Sequence, residues 1–155
     1  MKKLFTLCIV QQEGQVLLGM KKRGFGKGRW NGFGGKVNEG ESIEEAMKRE
    51  LAEEAGIIPL SFQKKALFEF RFKGNPEYLE VHVFHIPSFQ GNPQETEEMK
   101  PQWFLKAEIP FDTMWPDDKH WFPLFLQGKS LKGRFFFEDQ DTMLDHDLKE
   151  VDSLV

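Results

Sequence analysis

Apolar and polar residues follow one another along the chain in a pattern that predicts a mixture of strands and helices. The predicted strands are 4–10, 15–20, 66–73, 78–85, 102–105, 133–137 and 143–151. In the third of these, Phe68, Phe70 and Phe72 alternate with charged residues, which is typical of a strand buried on one face. The predicted helices are 42–55 and 120–127. Strands on both sides of one long helix predict an α/β (α+β) fold, a mixed β-sheet sandwich with two helices packed on it.

The first helix has the clearest predicted boundaries. Ser42 followed by Glu45 forms a capping box, and Gly56 provides the signal that ends the helix. Glycine recurs six times between residues 24 and 35. We therefore expect a loop before the helix, in which the backbone can approach a ligand closely.

The composition limits the classes of protein to which the chain can belong. Its 155 residues, without a linker or repeat, predict a single domain over 1–155. One cysteine, Cys8, excludes an internal disulfide and a multi-cysteine zinc site, and its apolar neighbours predict that it is buried. No apolar run approaches the ~20 residues that cross a membrane, and no signal peptide is expected. We expect a cytoplasmic protein, with nuclear and mitochondrial pools left open.

The charge is unevenly distributed along the chain. The net charge of −4 argues against binding to a nucleic acid polymer. Residues 21–38 nevertheless contain six basic side chains and no acidic one, whereas residues 39–54 contain seven glutamates and two basic side chains. A basic, glycine-rich loop therefore precedes an acidic helix, and such a junction suits both phosphate groups and a cation.

Three glutamates of the helix lie on one face. Glu50, Glu53 and Glu54 are spaced by three and four residues, and like charges at this spacing destabilise a helix. They also lie near its C-terminal end, where the helix dipole is negative. A solvated acidic face is one explanation. The other is a divalent cation, and carboxylates without Cys or His favour Mg²⁺, with Mn²⁺ as a substitute.

The wider spacing decides between these explanations. Gly35, Glu41 and the segment RELAEEAGI at 49–57 together reproduce the Nudix signature, for which chance matches are on the order of 10⁻⁸. The chain therefore resembles the Nudix hydrolases, whose fold is the sandwich described above. Arg49 can hold a neighbouring carboxylate through a bidentate pair. The resemblance implies catalytic roles for Arg49, Glu50, Glu53 and Glu54, and metal binding by Gly34 (through its carbonyl), Glu50, Glu53, Glu54 and Glu98. It leaves open which glutamate is the general base.

The rest of the chain resembles one branch of this family, the MutT-homologue oxidised-purine nucleoside triphosphatases. The most distinctive segments are VLLGMKKRGFGKGRWNGFGGKV (16–37), EVHVF (80–84), MWPDDKHWFP (114–123) and the ending DLKEVDSLV. The resemblance implies a set of residues that bind the nucleotide. They are Thr6, Lys21, Asn31, Phe33, Gly34, Gly35, Lys36, Phe70, Phe72, Trp115, Pro116, Asp117, Asp118 and Trp121. In this set Asn31 reads the purine edge, Trp115 stacks on the base, and the two aspartates bond to its edge.

Asp117 and Asp118 admit two interpretations. They could form the N-cap of the second helix. Alternatively, two carboxyls crowded at an aromatic pocket disfavour double ionisation, so that one stays protonated. The pair would then offer both a donor and an acceptor, and could accept 8-oxoguanine and 2-hydroxyadenine by exchanging protonation states.

The four histidines do not indicate a metal site. His82 and His85 are three apart on a strand and should face opposite sides, while His120 and His146 are predicted to be isolated.

The sequence as a whole predicts a monomeric, Mg²⁺-dependent enzyme. It would hydrolyse oxidised purine nucleoside triphosphates, including 8-oxo-dGTP, 2-hydroxy-dATP and 8-oxo-dATP, to the monophosphate and pyrophosphate. Its partner would be a small nucleotide, with neither a nucleic acid polymer nor a membrane. A Nudix enzyme that acts on ADP-ribose, dinucleoside polyphosphates or capped RNA is the first alternative. A non-catalytic Nudix binding module is the second, although all the signature carboxylates are present here.

Overall fold

The structure is a computed structural model that describes residues 1–154. Val155, the last residue of the predicted domain and of the segment DLKEVDSLV, lies outside the described residues. The strands are β1 (Lys2–Gln12), β2 (Gln15–Lys21), β3 (Trp30–Asn31), β4 (Ile58–Phe72), β5 (Tyr78–Gln90), β6 (Met99–Leu105), β7 (Ser130–Phe137) and β8 (Met143–Val151). The α-helices are α1 (Ile43–Ala55) and α2 (Asp118–Leu126), and two short 3₁₀ turns lie at Lys106–Glu108 and Phe111–Thr113.

The strands form one mixed sheet in the order β3-β2-β1-β5-β4-β7-β8, and β6 pairs with β2 beside this path. The pairs β1–β5 and β4–β7 are parallel, and the others are antiparallel. The predicted mixed sheet with two helices is therefore confirmed.

The sheet has a hydrophobic core on each face. Neighbouring residues of a strand point to opposite faces, and β1 shows this directly. Cys8 belongs to the cluster that includes Met47 and Leu51 of α1. Ile9, the next residue, belongs to the cluster that includes Phe68 and Trp121, the latter from α2. Each helix thus covers its own core.

The ends of α1 are formed as the sequence predicts. The Glu45 N–H donates to Ser42 Oγ at 3.1 Å, and the Ser42 N–H donates to Glu45 Oε1 at 3.0 Å. Gly56 adopts the left-handed conformation, with φ of 72°, and its N–H donates to the Ala52 carbonyl at 3.0 Å. These contacts fix the position of the last turn, which carries Glu53 and Glu54.

Several elements have other bounds than predicted, and the largest differences are in β4 and in the glycine-rich segment. β4 begins at Ile58 and not at 66, because register shifts between residues 59 and 66 interrupt the alternation that marks a strand. The glycine-rich segment is not wholly a loop. It contains β3, and bridges from Phe33 to Cys8 and from Lys36 to Phe5 attach it to β1.

Among residues 1–154, no helix has both the length and the apolar character needed to span a membrane.

Candidate active site

A cavity of about 260 Å³ lies between the glycine-rich segment, the sheet and the start of α2. Its lining has two parts. The carboxylate region contains Lys21, Gly34, Gly35 and Glu54. The aromatic region contains Phe25, Phe68, Phe70, Phe72, Trp115, Asp117, Asp118 and Trp121.

Glu54 is the buried carboxylate of the carboxylate region. It is 4% exposed, and its Oε1 accepts the Gly34 N–H at 2.8 Å. Burial raises the pKa of Glu54 to about 8, although the Gly34 N–H and the charge of Lys21 oppose this rise. The Lys21 Nζ lies 3.9 Å from Glu54 Oε2 and 3.4 Å from Glu98 Oε2. One lysine therefore links the helix carboxylate to the carboxylate outside the helix.

Arg49 organises the other carboxylates of α1. Its Nε and Nη2 donate to the two oxygens of Glu41, at 2.7 and 3.0 Å. Its Nη1 donates to Glu50 Oε1 at 2.8 Å and to Glu53 Oε2 at 3.3 Å. The bidentate partner of Arg49 is thus Glu41, a residue of the signature for which the sequence indicated no role. Glu50 receives a single, orienting hydrogen bond.

The three glutamates of the helix face are not equivalent. The side chains of Glu50, Glu53 and Glu54 are 15%, 57% and 5% exposed. Within the described part of the chain, no three His, Cys, Asp or Glu side chains are gathered closely enough to hold a metal ion. Arg49 and Lys21 neutralise these carboxylates instead.

The glycines before the helix are required by close packing. A Cβ on Gly35 would lie 2.6 Å from the Glu50 carboxylate, and a Cβ on Gly34 would lie 1.9 Å from the Thr6 carbonyl oxygen. The Thr6 N–H also donates to the Gly35 carbonyl at 2.9 Å. A backbone cradle thus holds the Glu50 carboxylate. Its donors, carboxylate and carbonyl oxygens without sulfur or imidazole, fit a hard cation such as Mg²⁺.

The two aspartates of the aromatic region are buried, at 2% and 8% exposed. Trp121 Nε1 donates to Asp117 Oδ2 at 2.8 Å. Asp117 occupies the N-cap position of α2, as one interpretation predicts, but its side chain makes no capping hydrogen bond. Burial raises the pKa of Asp117 to about 6, and burial together with the neighbouring Asp117 raises the pKa of Asp118 well above its ordinary value. The pair is therefore poised to carry a proton.

Two buried polar atoms on this cavity lack a hydrogen-bond partner among residues 1–154. They are Asp117 Oδ1 and Thr6 Oγ1. Leaving such atoms unpaired costs about 1–3 kcal/mol each, so they are usual only where a ligand or water completes them. Both residues line the cavity. A ligand with polar edges would satisfy them.

Aromatic rings form the walls. Phe70 stacks on Phe135 with ring centroids 5.1 Å apart, and the ring centroids of Trp115 and Phe25 are 5.0 Å apart. Phe25 is 57% exposed at the mouth of the cavity. The sequence did not single it out, since an isolated Phe between glycines carries no periodicity.

The cavity brings together most of the residues that the sequence assigned to nucleotide binding. Those that line it are Thr6, Lys21, Asn31, Gly34, Gly35, Phe70, Phe72, Trp115, Asp117, Asp118 and Trp121, with Glu54 beside them. Phe33 does not, because its side chain is fully buried in the core beneath α1. Lys36 contributes only its carbonyl, to Arg49, and Pro116 also lies off the lining.

The histidines form no metal site within residues 1–154. His82 contacts Lys64 and Glu80, whereas His85 contacts Gln11. The prediction that His120 and His146 are isolated is wrong. Their rings stack with centroids 4.4 Å apart, because α2 and β8 meet at this point.

Known proteins are similar to this chain over most of its length. The NUDIX domain family matches residues 2–125. The oxidized purine nucleoside triphosphate hydrolase of Mus musculus is 56% identical over 151 residues, which are 97% of each chain. That of Danio rerio is 51% identical over 152 residues, which are 98% of this chain and 97% of the relative. The crystal structure of a MutT protein from Bacillus halodurans superposes with a TM-score of 0.81 at 28% identity, covering 94% of this chain and 97% of that one. The chain belongs to the Nudix family.

Proposed function

We propose that this chain hydrolyses oxidised purine nucleoside triphosphates to the nucleoside monophosphate and pyrophosphate. One observation carries the proposal: a single aromatic cavity holds a buried aspartate pair with an unpartnered oxygen and also reaches the carboxylate Glu54. Support also comes from the mouse and zebrafish relatives, which are oxidized purine nucleoside triphosphate hydrolases. Hydrolysis would sanitise the nucleotide pool and prevent mutation.

The aspartate pair would recognise the base. Because the pKa values of both carboxyls are raised, one proton shared by Asp117 and Asp118 gives the pair a donor and an acceptor. The edges of 8-oxoguanine and 2-hydroxyadenine differ in donors and acceptors, and a shift of the proton would accommodate either. Trp115 would stack on the base, and Asn31 and Thr6 would bond to its polar atoms.

The carboxylate region would hold the metal and the phosphates. Glu50, Glu53, Glu54 and Glu98, with the Gly34 carbonyl, would hold Mg²⁺, or Mn²⁺ in its place. When bound, the cation neutralises phosphate oxygens and lowers the pKa of a water. Arg49 orients Glu50 by its hydrogen bond, and Lys21 is placed to contact phosphate once it leaves its carboxylate partners.

The bond broken would be the anhydride between the α- and β-phosphates. A water oxygen would bond to one phosphorus of this anhydride, a glutamate of the site would accept the water proton, and the other phosphate group would leave with the bridging oxygen. The protein would act as a monomer on a small nucleotide, in the cytoplasmic pool, without a nucleic acid polymer or a membrane as partner.

Turnover of 8-oxo-dGTP, 2-hydroxy-dATP, dGTP and ADP-ribose, measured with Mg²⁺ and with products resolved, tests the proposal. We expect the two oxidised nucleotides to be hydrolysed with higher kcat/KM than dGTP, and to yield pyrophosphate. Equal rates for the three triphosphates, or faster cleavage of ADP-ribose, would refute the proposed specificity. Release of orthophosphate would refute the proposed bond.

A further inference from the structure

Arg29 contacts the aromatic region from outside the cavity. Its guanidinium carbon lies 4.5 Å from the centroid of the Trp115 ring, a cation–π contact. Trp115 lines the cavity, whereas Arg29 is not among the described residues that do so. The Arg29 side chain is nonetheless only 18% exposed. Arg29 therefore packs against the indole without lining the cavity.

The far end of Arg29 is held by the turn between β7 and β8. Nη1 donates to the Gln140 carbonyl at 2.7 Å, and Nη2 donates to the Asp141 carboxylate. The turn is itself ordered, because Asp139 Oδ1 accepts the N–H groups of Asp141 and Thr142, both at 2.9 Å. Asp141 is thus presented to Arg29 from a defined position more than a hundred residues away in the chain.

The backbone of Arg29 is tied to two residues of the cavity. Its carbonyl accepts the Lys21 N–H at 3.0 Å and the Asn31 Nδ2–H at 3.0 Å. A movement of Arg29 would therefore shift Lys21 and Asn31 as well as Trp115.

We propose that Arg29 is a positioning residue for recognition of the base. Asp141 holds the guanidinium of Arg29, and Arg29 in turn keeps Trp115 in the orientation that the base requires. The turn between β7 and β8 thereby contributes to substrate specificity. This inference rests on the proposed function, because it assigns Trp115 the role of platform for the base.

Arg29 has a second, electrostatic effect that a purely structural residue would lack. Its charge lowers the pKa of Asp117 and so opposes the rise caused by burial. Asp118, the next residue in the chain, also faces Asp117, and the same cavity is lined by the charged groups of Lys21 and Glu54. If the Arg29 charge is removed, the titration of Asp117 should move to higher pH.

The experiment compares Arg29→Met, Arg29→Lys and Asp141→Asn with the wild type and with Arg134→Met. Arg134 is exposed on β7 and lies outside the cavity lining, so its variant controls for the loss of one positive charge. The readouts are the Kd of 8-oxo-dGMP without metal, measured by calorimetry from pH 5 to pH 8, and the KM and kcat for 8-oxo-dGTP with Mg²⁺.

For Arg29→Met we expect Kd and KM to rise about fivefold to tenfold with kcat within about twofold of the wild type, as for loss of a desolvated cation–π contact that acts on binding. The pH dependence of Kd should shift to higher pH. Arg29→Lys should restore the wild-type pH dependence and part of the affinity. Asp141→Asn should weaken binding by about twofold to threefold without a pH shift, since the charge of Arg29 remains.

The inference is overturned if Arg29→Met and Arg134→Met give the same Kd and the same pH profile. It is also overturned if Arg29→Met lowers kcat alone. A wild-type protein that neither binds 8-oxo-dGMP nor hydrolyses 8-oxo-dGTP would instead refute the proposed function, so the two failures are distinguishable.

Discussion

The carboxylate region, together with the adjoining part of α1, and the aromatic region place carboxyl groups in different electrostatic surroundings. Glu41 and Glu50 are paired with Arg49, and the contact with Arg49 holds the pKa of Glu41 below its ordinary value. Asp117 and Asp118 are buried among aromatic rings, and their pKa values are raised. Arg49 thus keeps Glu41 charged beside the proposed metal ligands, whereas burial keeps the aspartate pair able to hold a proton.

Glu54 combines features of both regions. It lies on α1, the helix that carries the proposed metal ligands, yet it is 4% exposed and burial raises its pKa to about 8. It contacts a backbone N–H and a lysine at 3.9 Å, but no arginine. Substitution of Glu54 is therefore the best test of whether the two regions act separately, one on the metal and the phosphates and the other on the base.

The largest expected effect is that of Glu54→Gln on turnover. We expect kcat for 8-oxo-dGTP to fall by about 10³-fold or more, because a proposed metal ligand and candidate base loses the ability to ionise. The Kd of 8-oxo-dGMP without metal should change by less than about twofold, since the base is bound in the aromatic region. Glu97→Gln, at a side chain that is 87% exposed, is the matched control. A parallel loss of binding and turnover would show that the regions are not separable.

A smaller effect is expected for Asp117→Asn and Asp118→Asn, each compared with the exposed Asp112→Asn. KM for the oxidised purine nucleotides should rise about tenfold to a hundredfold, as for loss of a buried, charge-assisted hydrogen bond, with a smaller change in kcat. The ratio of kcat/KM for 8-oxo-dGTP and 2-hydroxy-dATP should also change, because Asn cannot exchange a proton. Full activity of both variants on both substrates would exclude the exchange of protonation states.

The smallest expected effect is on the stability of the metal-free protein. The pKa of Glu54 is raised from 4.5 to about 8 in the folded state, so the folded protein binds the proton more tightly than the unfolded chain. Its contribution to stability is therefore complete below pH 4.5 and is lost as the pH rises towards 8. In EDTA, Glu54→Gln should raise Tm relative to the wild type by a few degrees at pH 8, on the order expected for 1–2 kcal/mol, and by less at pH 5.

Thermal unfolding followed by circular dichroism measures this difference. Added Mg²⁺ should reduce it at pH 8, because a cation bound at Glu54 stabilises the ionised carboxylate. A difference in Tm that is the same at pH 5 and pH 8 would show that Glu54 is not the titrating group.

The face of α1 that carries Glu50, Glu53 and Glu54 could be predicted from the sequence because its determinants are local. The capping box at Ser42 and the stop at Gly56 set the helix, and the spacing of Glu50 and Glu54 follows from it. The partner of Arg49 could not be read from spacing, since Glu41 lies before the helix and reaches Arg49 only in the folded structure.

The aromatic region depends on contacts distant in sequence, and here the sequence was less informative. Arg29 meets Asp141 only because β7, β8 and the glycine-rich segment converge. His120 meets His146 for a similar reason. Phe33 was assigned to the site, but a glycine-rich segment has no periodicity that would show that its ring enters the core.

Thr6 is a single residue that connects the carboxylate region with the aromatic region. Its unpartnered hydroxyl belongs to the cavity wall. Its N–H donates to the carbonyl of Gly35, against which Glu50 packs, and its carbonyl oxygen lies against Gly34. In the proposed reaction, β1 would therefore fix the distance between the base and the scissile bond. The position of the cut would then be set by the base and not by the free end of the phosphate chain, and a nucleotide with a longer phosphate tail should be cut at the same bond.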